Sequence, residues 1–194
     1  MTTPTETKTQ LRARLRRRRR ALTPQQQGTA SRATLNYLEQ LPDWPSRRHI
    51  GLYLSADGEL SPHDIATHCR SLGRQLYLPR ITGHGQMAFV HWAAHSTLTP
   101  NRFGIAEPPA QAAKRNCSDL DLVFLPVVGW DRAGHRLGMG GGYYDRLLAT
   151  GTGALRVGLA HSVQEVPQVP TEEWDISLDF VLTEEGLHRC CGAS

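Results

Sequence analysis

Apolar positions recur along this chain in two rhythms. Leu11, Leu15 and Leu22 fall at helical spacing inside an otherwise arginine-covered stretch, which predicts an amphipathic basic helix over about 8–22 with a narrow buried stripe. A second helical segment is expected over 25–40. After it the rhythm shortens: apolar runs at 49–54, 75–78, 87–92, 121–128, 156–160 and 180–183 read as strands, with helices expected at about 62–72 and 143–150. The run Leu122-Val123-Phe124-Leu125-Pro126-Val127-Val128 is apolar at consecutive positions, as a strand is when both faces of its sheet are covered. Strand–helix alternation therefore predicts an α/β chain: a single three-layer domain over 1–194, with a mostly parallel central sheet and helices on both faces. Ligands of such sheets bind at strand carboxyl ends. Residues 109–118 read as a surface loop, and the tail from about 187 to 194 is expected to fray.

Composition adds little but excludes something. At 194 residues and 39% hydrophobic, the chain is long enough for one real core. No apolar run approaches the roughly 18 residues of a membrane span, and the polar, then arginine-rich start lacks an apolar signal core. A cytoplasmic monomer without a membrane partner is expected. Cys69, Cys117, Cys190 and Cys191 show no metal-ligand spacing, so reduced thiols are expected.

The net charge of +4 is unevenly spread. Residues 1–20 hold 8 of the 22 basic side chains (Lys8, Arg12, Arg14 and Arg16 through Arg20) against Glu6 alone, leaving 14 basic and 17 acidic side chains in the rest. A nucleic-acid-binding domain spreads its cations over the face that meets the backbone, so a nucleic-acid partner is not expected. The Arg16–Arg20 run reads first as a solvated helical face, with polyanion contact as the rival. Lys8 and Arg12 are separate: four residues apart on one helical face, they can reach the same phosphate chain.

The segment richest in chemistry is Arg136-Leu137-Gly138-Met139-Gly140-Gly141-Gly142-Tyr143-Tyr144-Asp145. Glycines let the backbone reach positive φ and bring N–H groups close to a ligand, the following residues read as a helix start that attracts anions, and Arg136 supplies a fixed charge. The alternative is a flexible turn before a helix. A Walker loop requires Gly-Lys-Ser/Thr, whereas Gly142 is followed by Tyr143; a dinucleotide fingerprint requires glycine where Tyr143 stands.

Running from Asp121-Leu122-Val123-Phe124-Leu125-Pro126-Val127-Val128-Gly129-Trp130-Asp131 into that segment, the chain resembles the 5-formyltetrahydrofolate cyclo-ligase family, also called methenyltetrahydrofolate synthetases. The resemblance spans nearly the whole chain. It takes in Lys8-x-x-Leu11-Arg12, Leu54-Ser55-x-Asp57-Gly58-Glu59-Leu60, Leu78-Pro79-Arg80, Phe103-Gly104-Ile105-x-Glu107-Pro108, Gly158-Leu159-Ala160-His161 and Val169-Pro170-x-Glu172-x-Trp174-Asp175. It implies an ATP-dependent cyclisation of 5-formyltetrahydrofolate to 5,10-methenyltetrahydrofolate, with ATP as co-substrate and Mg²⁺ as cofactor.

The resemblance also implies roles. Arg136 and Glu59 are the catalytic candidates. Lys8, Arg12, Arg136, Gly138, Met139, Gly140, Gly141, Gly142, Tyr143 and Tyr144 are expected at ATP, and Leu54, Glu59, Met139 and Tyr143 at the folate. On position alone Glu59 is an exposed loop residue; the matching glutamate of the family holds the pterin end. The chain departs from the family just afterwards, where Leu60 is followed by Ser61-Pro62 in place of Asp-Thr. Asp145 and Asp175 are the expected Mg²⁺ ligands, since that ion accepts one or two carboxylates beside phosphates; otherwise Asp145 favours its helix start and Asp175 is a surface residue. Asp179 is a weaker third.

Other chemistries find less support. His91 and His95 lack the glutamate of His-Glu-x-x-His, and no Gly-x-Ser-x-Gly elbow occurs. His161 is assigned no role. Met87, Phe89 and Trp92 either line a folate pocket or fill the core, and strand alternation does not choose. A different ATP-dependent kinase or ligase would share the phosphate loop and differ at Glu59 and at 87–92.

Overall fold

A computed structural model describes residues 6–83, 85–101, 104–149 and 153–192. Its helices are α1 (Lys8–Arg20), α2 (Pro24–Ala33), α3 (His63–Ser71) and α4 (Tyr143–Leu148). The strands are β1 (His49–Gly51), β2 (Gln75–Gly83), β3 (Gln86–His91), β4 (Thr99–Pro100), β5 (Ala106–Glu107), β6 (Lys114–Arg115), β7 (Leu122–Pro126), β8 (Gly129–Trp130), β9 (Arg136–Leu137), β10 (Leu155–Leu159), β11 (Phe180–Leu182) and β12 (Leu187–Arg189).

Eight strands form one sheet in the order β12-β11-β10-β7-β1-β2-β3-β6. The central five, β11 to β2, run parallel; β12 and β3 run against them, and β6, antiparallel to β3, returns to their direction. Two hairpins, β4–β5 and β8–β9, stand outside it. Alternation along β7 builds a core on each face. Leu122 and Phe124 join Ile50, Leu52, Leu76 and Leu78 under Leu38, Trp44, Ile65 and Cys69 from the segment of α2 to α3. Val123 and Leu125 turn the other way, onto Phe89, Trp130, Val181 and Leu148 of α4. The α/β architecture with a mostly parallel sheet and helices on both faces is thus as expected.

The arginine-rich helix docks through its leucine stripe. Thr7 caps α1 by accepting from the Gln10 backbone N–H at 3.3 Å, while the Gln10 side chain accepts from the Thr7 N–H at 3.0 Å. Leu11 and Leu15 pack on Val128, Leu137, Val166 and Val169, a third cluster separate from the two sheet cores.

Several boundaries differ from expectation for local reasons. The helix expected over 25–40 ends as α-helix at Ala33 and continues as a tighter 3₁₀ segment, Thr34–Gln40; the Thr34 hydroxyl donates to the Ser31 carbonyl at 2.7 Å at the switch, a side-chain bond that competes with helical continuation. β2 runs on through Pro79 to Gly83 because β1 leaves it after Tyr77, so the missing N–H breaks no ladder. Residues 187–189, in the stretch expected to fray, instead pair antiparallel with β11, and Cys190 beyond them is buried. The expected helix end Thr150 and Phe103 of the cyclo-ligase-like motif lie outside the described residues.

The carboxyl ends of neighbouring parallel strands launch the segments that carry the candidate residues. β1 leads to residues 52–62 and Glu59, β7 to the β8–β9 hairpin and the glycine-rich loop, and β10 to residues 160–175.

Candidate active site

All three segments open onto one cleft of about 1070 Å³. Its lining includes Lys8, Arg12, Leu54, Glu59, Arg136, residues 138–142, Tyr143, Tyr144, Asp145 and Asp175. Every residue expected at ATP, folate or metal is therefore in one place, although the positions span 167 residues of sequence.

One end of the cleft is built from α1, the β8–β9 hairpin and the loop after it. Asp131, 2% exposed, fixes the hairpin: one carboxylate oxygen accepts from the backbone N–H groups of Ala133 (3.1 Å) and His135 (3.0 Å), the other from Val169 (2.9 Å). That turn delivers Arg136, which is 8% exposed. Its guanidinium donates to Asp145 Oδ1 at 2.5 Å and to the Ile176 carbonyl. Lys8 Nζ lies 2.7 Å from Asp175 Oδ2 and 3.8 Å from Glu172. Burial raises the Asp175 carboxyl, but the Lys8 and Glu172 N–H hydrogen bonds and the field of Lys8 and Arg136 hold it below its ordinary value. Arg12 Nε donates to the Gly138 carbonyl at 2.8 Å, tying the glycine-rich loop to α1.

The loop requires glycine at two positions in particular. Gly140 has φ +97° and Gly142 has φ +64°, and a Cβ at Gly142 would stand 2.7 Å from the Arg146 guanidinium. Arg146 itself ties the loop to the β2–β3 turn, donating to the carbonyls of Gly141 (2.7 Å) and Gly85 (2.8 Å).

The opposite end is built around Glu59. The turn Ala56–Glu59 passes through Asp57 (φ +55°) and Gly58 (φ +76°), and Glu59 closes it, donating its N–H to the Ala56 carbonyl and accepting from the Ala56 N–H, both at 3.0 Å. The Glu59 side chain is 12% exposed. Burial pushes its pKa up, with the Ala56 N–H and Arg19 pulling partly against this. Tyr53 and Tyr144 share this region; Tyr53 donates its hydroxyl to the Leu60 carbonyl at 2.6 Å, and burial raises both phenols. Met87 lines the cleft, whereas Phe89 is core and Trp92 packs beneath the Arg70 guanidinium at 3.9 Å. Helix α3 begins after Pro62 without a side-chain cap.

Two expectations change here. The Arg16–Arg20 run is not a uniformly solvated face: Arg17 and Arg18 are exposed, but Arg19 is fully buried, and Arg16, Arg19 and Arg20 all bond Asp57. Asp179 lies outside the cleft lining, held by the Arg156 guanidinium at 2.6 and 3.0 Å. Sequence reasoning also left Glu107 and Trp174 without roles, although both stand in cyclo-ligase-like motifs. Glu107 is buried at the cleft wall, accepting from the Ile81 N–H at 3.0 Å and the Asn101 amide at 2.8 Å. Trp174 is 68% exposed on the rim beside Asp175.

As to a metal, among the described residues no three histidine, cysteine or acidic side chains form a ready cage. Asp145 and Asp175 face the same cleft and are joined through Ile176, whose N–H lies 3.4 Å from Asp145 Oδ1. Two hard carboxylates without a full cage fit Mg²⁺, which keeps waters and shares its coordination with phosphate oxygens.

Residues 4–184 match the sequence pattern of the 5-formyltetrahydrofolate cyclo-ligase family. The chain belongs to that family. It is 36% identical over 169 residues to the 5-formyltetrahydrofolate cyclo-ligase of Escherichia coli, covering 84% of this chain and 93% of that one. The Haemophilus influenzae 5-formyltetrahydrofolate cyclo-ligase is 34% identical over 167 residues, with 83% and 89% covered. The fold is similar to the NMR structure of Aquifex aeolicus 5,10-methenyltetrahydrofolate synthetase, at TM-score 0.83 and 29% identity over 96% of this chain and 94% of that one. The chain is thus a member of a ligase family, and all its cyclo-ligase motifs except the one at 158–161, which is buried in the fold, send residues to the cleft.

Proposed function

We propose that the protein cyclises 5-formyltetrahydrofolate to 5,10-methenyltetrahydrofolate at the expense of ATP, releasing ADP and phosphate. One observation carries this reading: a single cleft gathers Lys8, Arg12 and Arg136 with a glycine-rich loop, and also a recessed carboxylate, Glu59, among aromatic and apolar walls. At about 1070 Å³ the cleft stands at the top of the roughly 300–1,000 Å³ range of ligand pockets, and it keeps its cations and Glu59 at separate ends.

The formyl oxygen on N5 attacks the γ-phosphorus of ATP, breaking its bond to the β,γ-bridging oxygen and releasing ADP. N10 then attacks the activated formyl carbon, its proton is lost, and phosphate leaves with the former formyl oxygen. Arg136 offsets charge on the transferring phosphoryl group, and Lys8 and Arg12 hold the rest of the phosphate chain. Phosphoryl transfer of this kind needs positioning and charge stabilisation more than covalent help. Glu59 and Leu54 hold the folate so that the formyl oxygen lies in line, with Met139 and Tyr143 bordering both substrates. Asp145 and Asp175 would hold Mg²⁺, which neutralises phosphate charge when bound. A cytoplasmic setting and a monomeric working unit belong to the same proposal; among the described residues no helix is long and apolar enough to cross a membrane.

The test is ultraviolet absorbance on mixing protein, Mg-ATP and 5-formyltetrahydrofolate, because the methenyl product carries a conjugated amidinium chromophore that the substrate lacks. Growth of that band only with ATP is the expected result. A flat trace with an active control enzyme would reject the reading.

A further inference from the structure

Three arginines converge on one carboxylate at the folate end of the cleft. Arg16 Nε and one terminal nitrogen of Arg19 each stand 2.7 Å from Asp57 Oδ2, and Arg20 donates to Oδ1. Arg19 also donates to the Asp57 carbonyl at 2.8 Å and to the Val127 carbonyl at 3.4 Å, and lies 3.7 Å from Glu59 Oε1. Its side chain is fully buried.

A buried guanidinium is tolerated only when its donors are met and its charge is balanced. The held residue is equally unusual. Asp57 is a non-glycine residue in the left-handed region, followed at once by Gly58 in the same region. Such backbone persists where its surroundings over-determine it, and it clusters at functional sites. A Cβ on Gly58 would meet the Arg19 carbonyl at 3.4 Å, so the end of α1 lies directly against the turn.

Glu59 gains its orientation from this turn. Its two hydrogen bonds to Ala56 are internal to the turn and cannot by themselves aim the carboxylate into the cleft. Tyr53 pins the following Leu60, while the long-range polar anchors on the turn itself come from α1: Arg16, Arg19 and Arg20 on Asp57, and Arg19 again beside Glu59 Oε1 at 3.7 Å. The geometry points to the clamp of Arg16, Arg19 and Arg20 on Asp57 as the device that positions Glu59, with Arg19 as its buried positioning residue. This rests on the reading of Glu59 as the carboxylate that holds the folate. Along α1, at 1.5 Å per residue, Lys8 stands about 16 Å and Arg12 about 10 Å from Arg19, so loosening Asp57 falls first on the folate turn and less on the ATP contacts.

The experiment uses Asp57→Asn, because Arg19→Gln risks misfolding from an emptied buried site; asparagine tolerates the left-handed backbone. Displacing a binding group by about 1 Å can cost on the order of a hundredfold. Asp57→Asn is expected to raise the KM for 5-formyltetrahydrofolate by about ten- to a hundredfold while leaving the KM for ATP within about twofold. Asp57→Asn added to Glu59→Gln is expected to cost little beyond Glu59→Gln alone, because both act through one carboxylate. Unchanged constants, a parallel rise for both substrates, or penalties that multiply would each overturn the proposal. Amide hydrogen exchange at residues 56–59 reads the clamp without turnover: exchange should quicken in Asp57→Asn, and unchanged exchange would refute the clamp. An inactive parent protein would therefore sink the functional reading while leaving the clamp separately decidable.

Discussion

Lys8 Nζ is bonded to Asp175 Oδ2 at 2.7 Å, so a cation proposed for phosphate is neutralised by a carboxylate proposed for the metal. Arg136 and Asp145 repeat the arrangement at 2.5 Å. On the proposed function both pairs would exchange partners when Mg-ATP binds, the cations for phosphate oxygens and the carboxylates for the ion. Lys8→Gln is expected to raise the KM for ATP by about tenfold, equivalent to roughly 1.4 kcal/mol. Asp175→Asn should shift the Mg²⁺ concentration for half-maximal rate upward. Rates across an Mg²⁺ titration check both, and an unchanged Mg²⁺ requirement in Asp175→Asn would remove that residue from the metal site.

Arg136 is the residue whose loss should fall most on the chemical step. Removing one donor that faces developing charge costs about 3–4 kcal/mol, on the order of a thousandfold in kcat. Arg136→Ala should show that loss at saturating substrates. Arg136→Lys should remain impaired, since a point charge cannot reach both Asp145 and the Ile176 carbonyl as the guanidinium fork does. Near-normal turnover by Arg136→Ala would overturn the assignment.

The glycine-rich loop separates backbone need from ligand need. A methyl group at Gly142 meets Arg146 and a left-handed backbone, so Gly142→Ala should cost about 1–2 kcal/mol of stability. At Gly138 an added Cβ meets nothing within 4 Å, so Gly138→Ala should melt like the parent. If Gly138→Ala nonetheless raises the KM for ATP, the open space there is ligand space. Melting curves and ATP kinetics on the two variants decide.

Glu59 and Asp57 should respond to pH in opposite senses. Burial raises the Glu59 carboxyl above 4.5, so the folded protein holds this proton where the unfolded chain has released it. Ionising it costs stability as pH rises through that window, and Glu59→Gln should gain relative to the parent there. Burial also works to raise Asp57, but its three arginines hold it far below 3.8. Its contribution is complete above 3.8 and fades as pH falls toward the depressed value, so Asp57→Asn and the parent should converge in acid. Melting temperatures of the three proteins, followed from about pH 7 down into strong acid well below 3.8, test both signs.

The parallel sheet was legible because β7 alternates between two buried faces, which leaves an apolar run that only a covered strand produces. The clamp was not, because a run of five arginines resembles any charged helical face. A signal was nevertheless present: Arg19 continues the stripe of Leu11 and Leu15 at the same four-residue step, and the structure buries all three. The antiparallel margin was hidden for another reason. Pro79 reads as a break until it is known that β1 no longer accompanies β2 at that point. Glu107 could not be placed from spacing, since Ile81 comes from another strand, and for Asp131 spacing reaches the turn partners Ala133 and His135 but not the long-range bond from Val169.

α1 rests on its own small cluster with Val128, Leu137, Val166 and Val169, outside both sheet cores. It nevertheless carries Lys8 and Arg12 to the glycine-rich end of the cleft and Arg19 to the turn of Asp57 and Glu59. Helices seated on few apolar contacts open at lower free energy than the cores beneath them. On the proposed function α1 would thus act as a strap across both substrate sites: a local opening of this one helix would withdraw Lys8, Arg12 and Arg19 together while the sheet stayed folded.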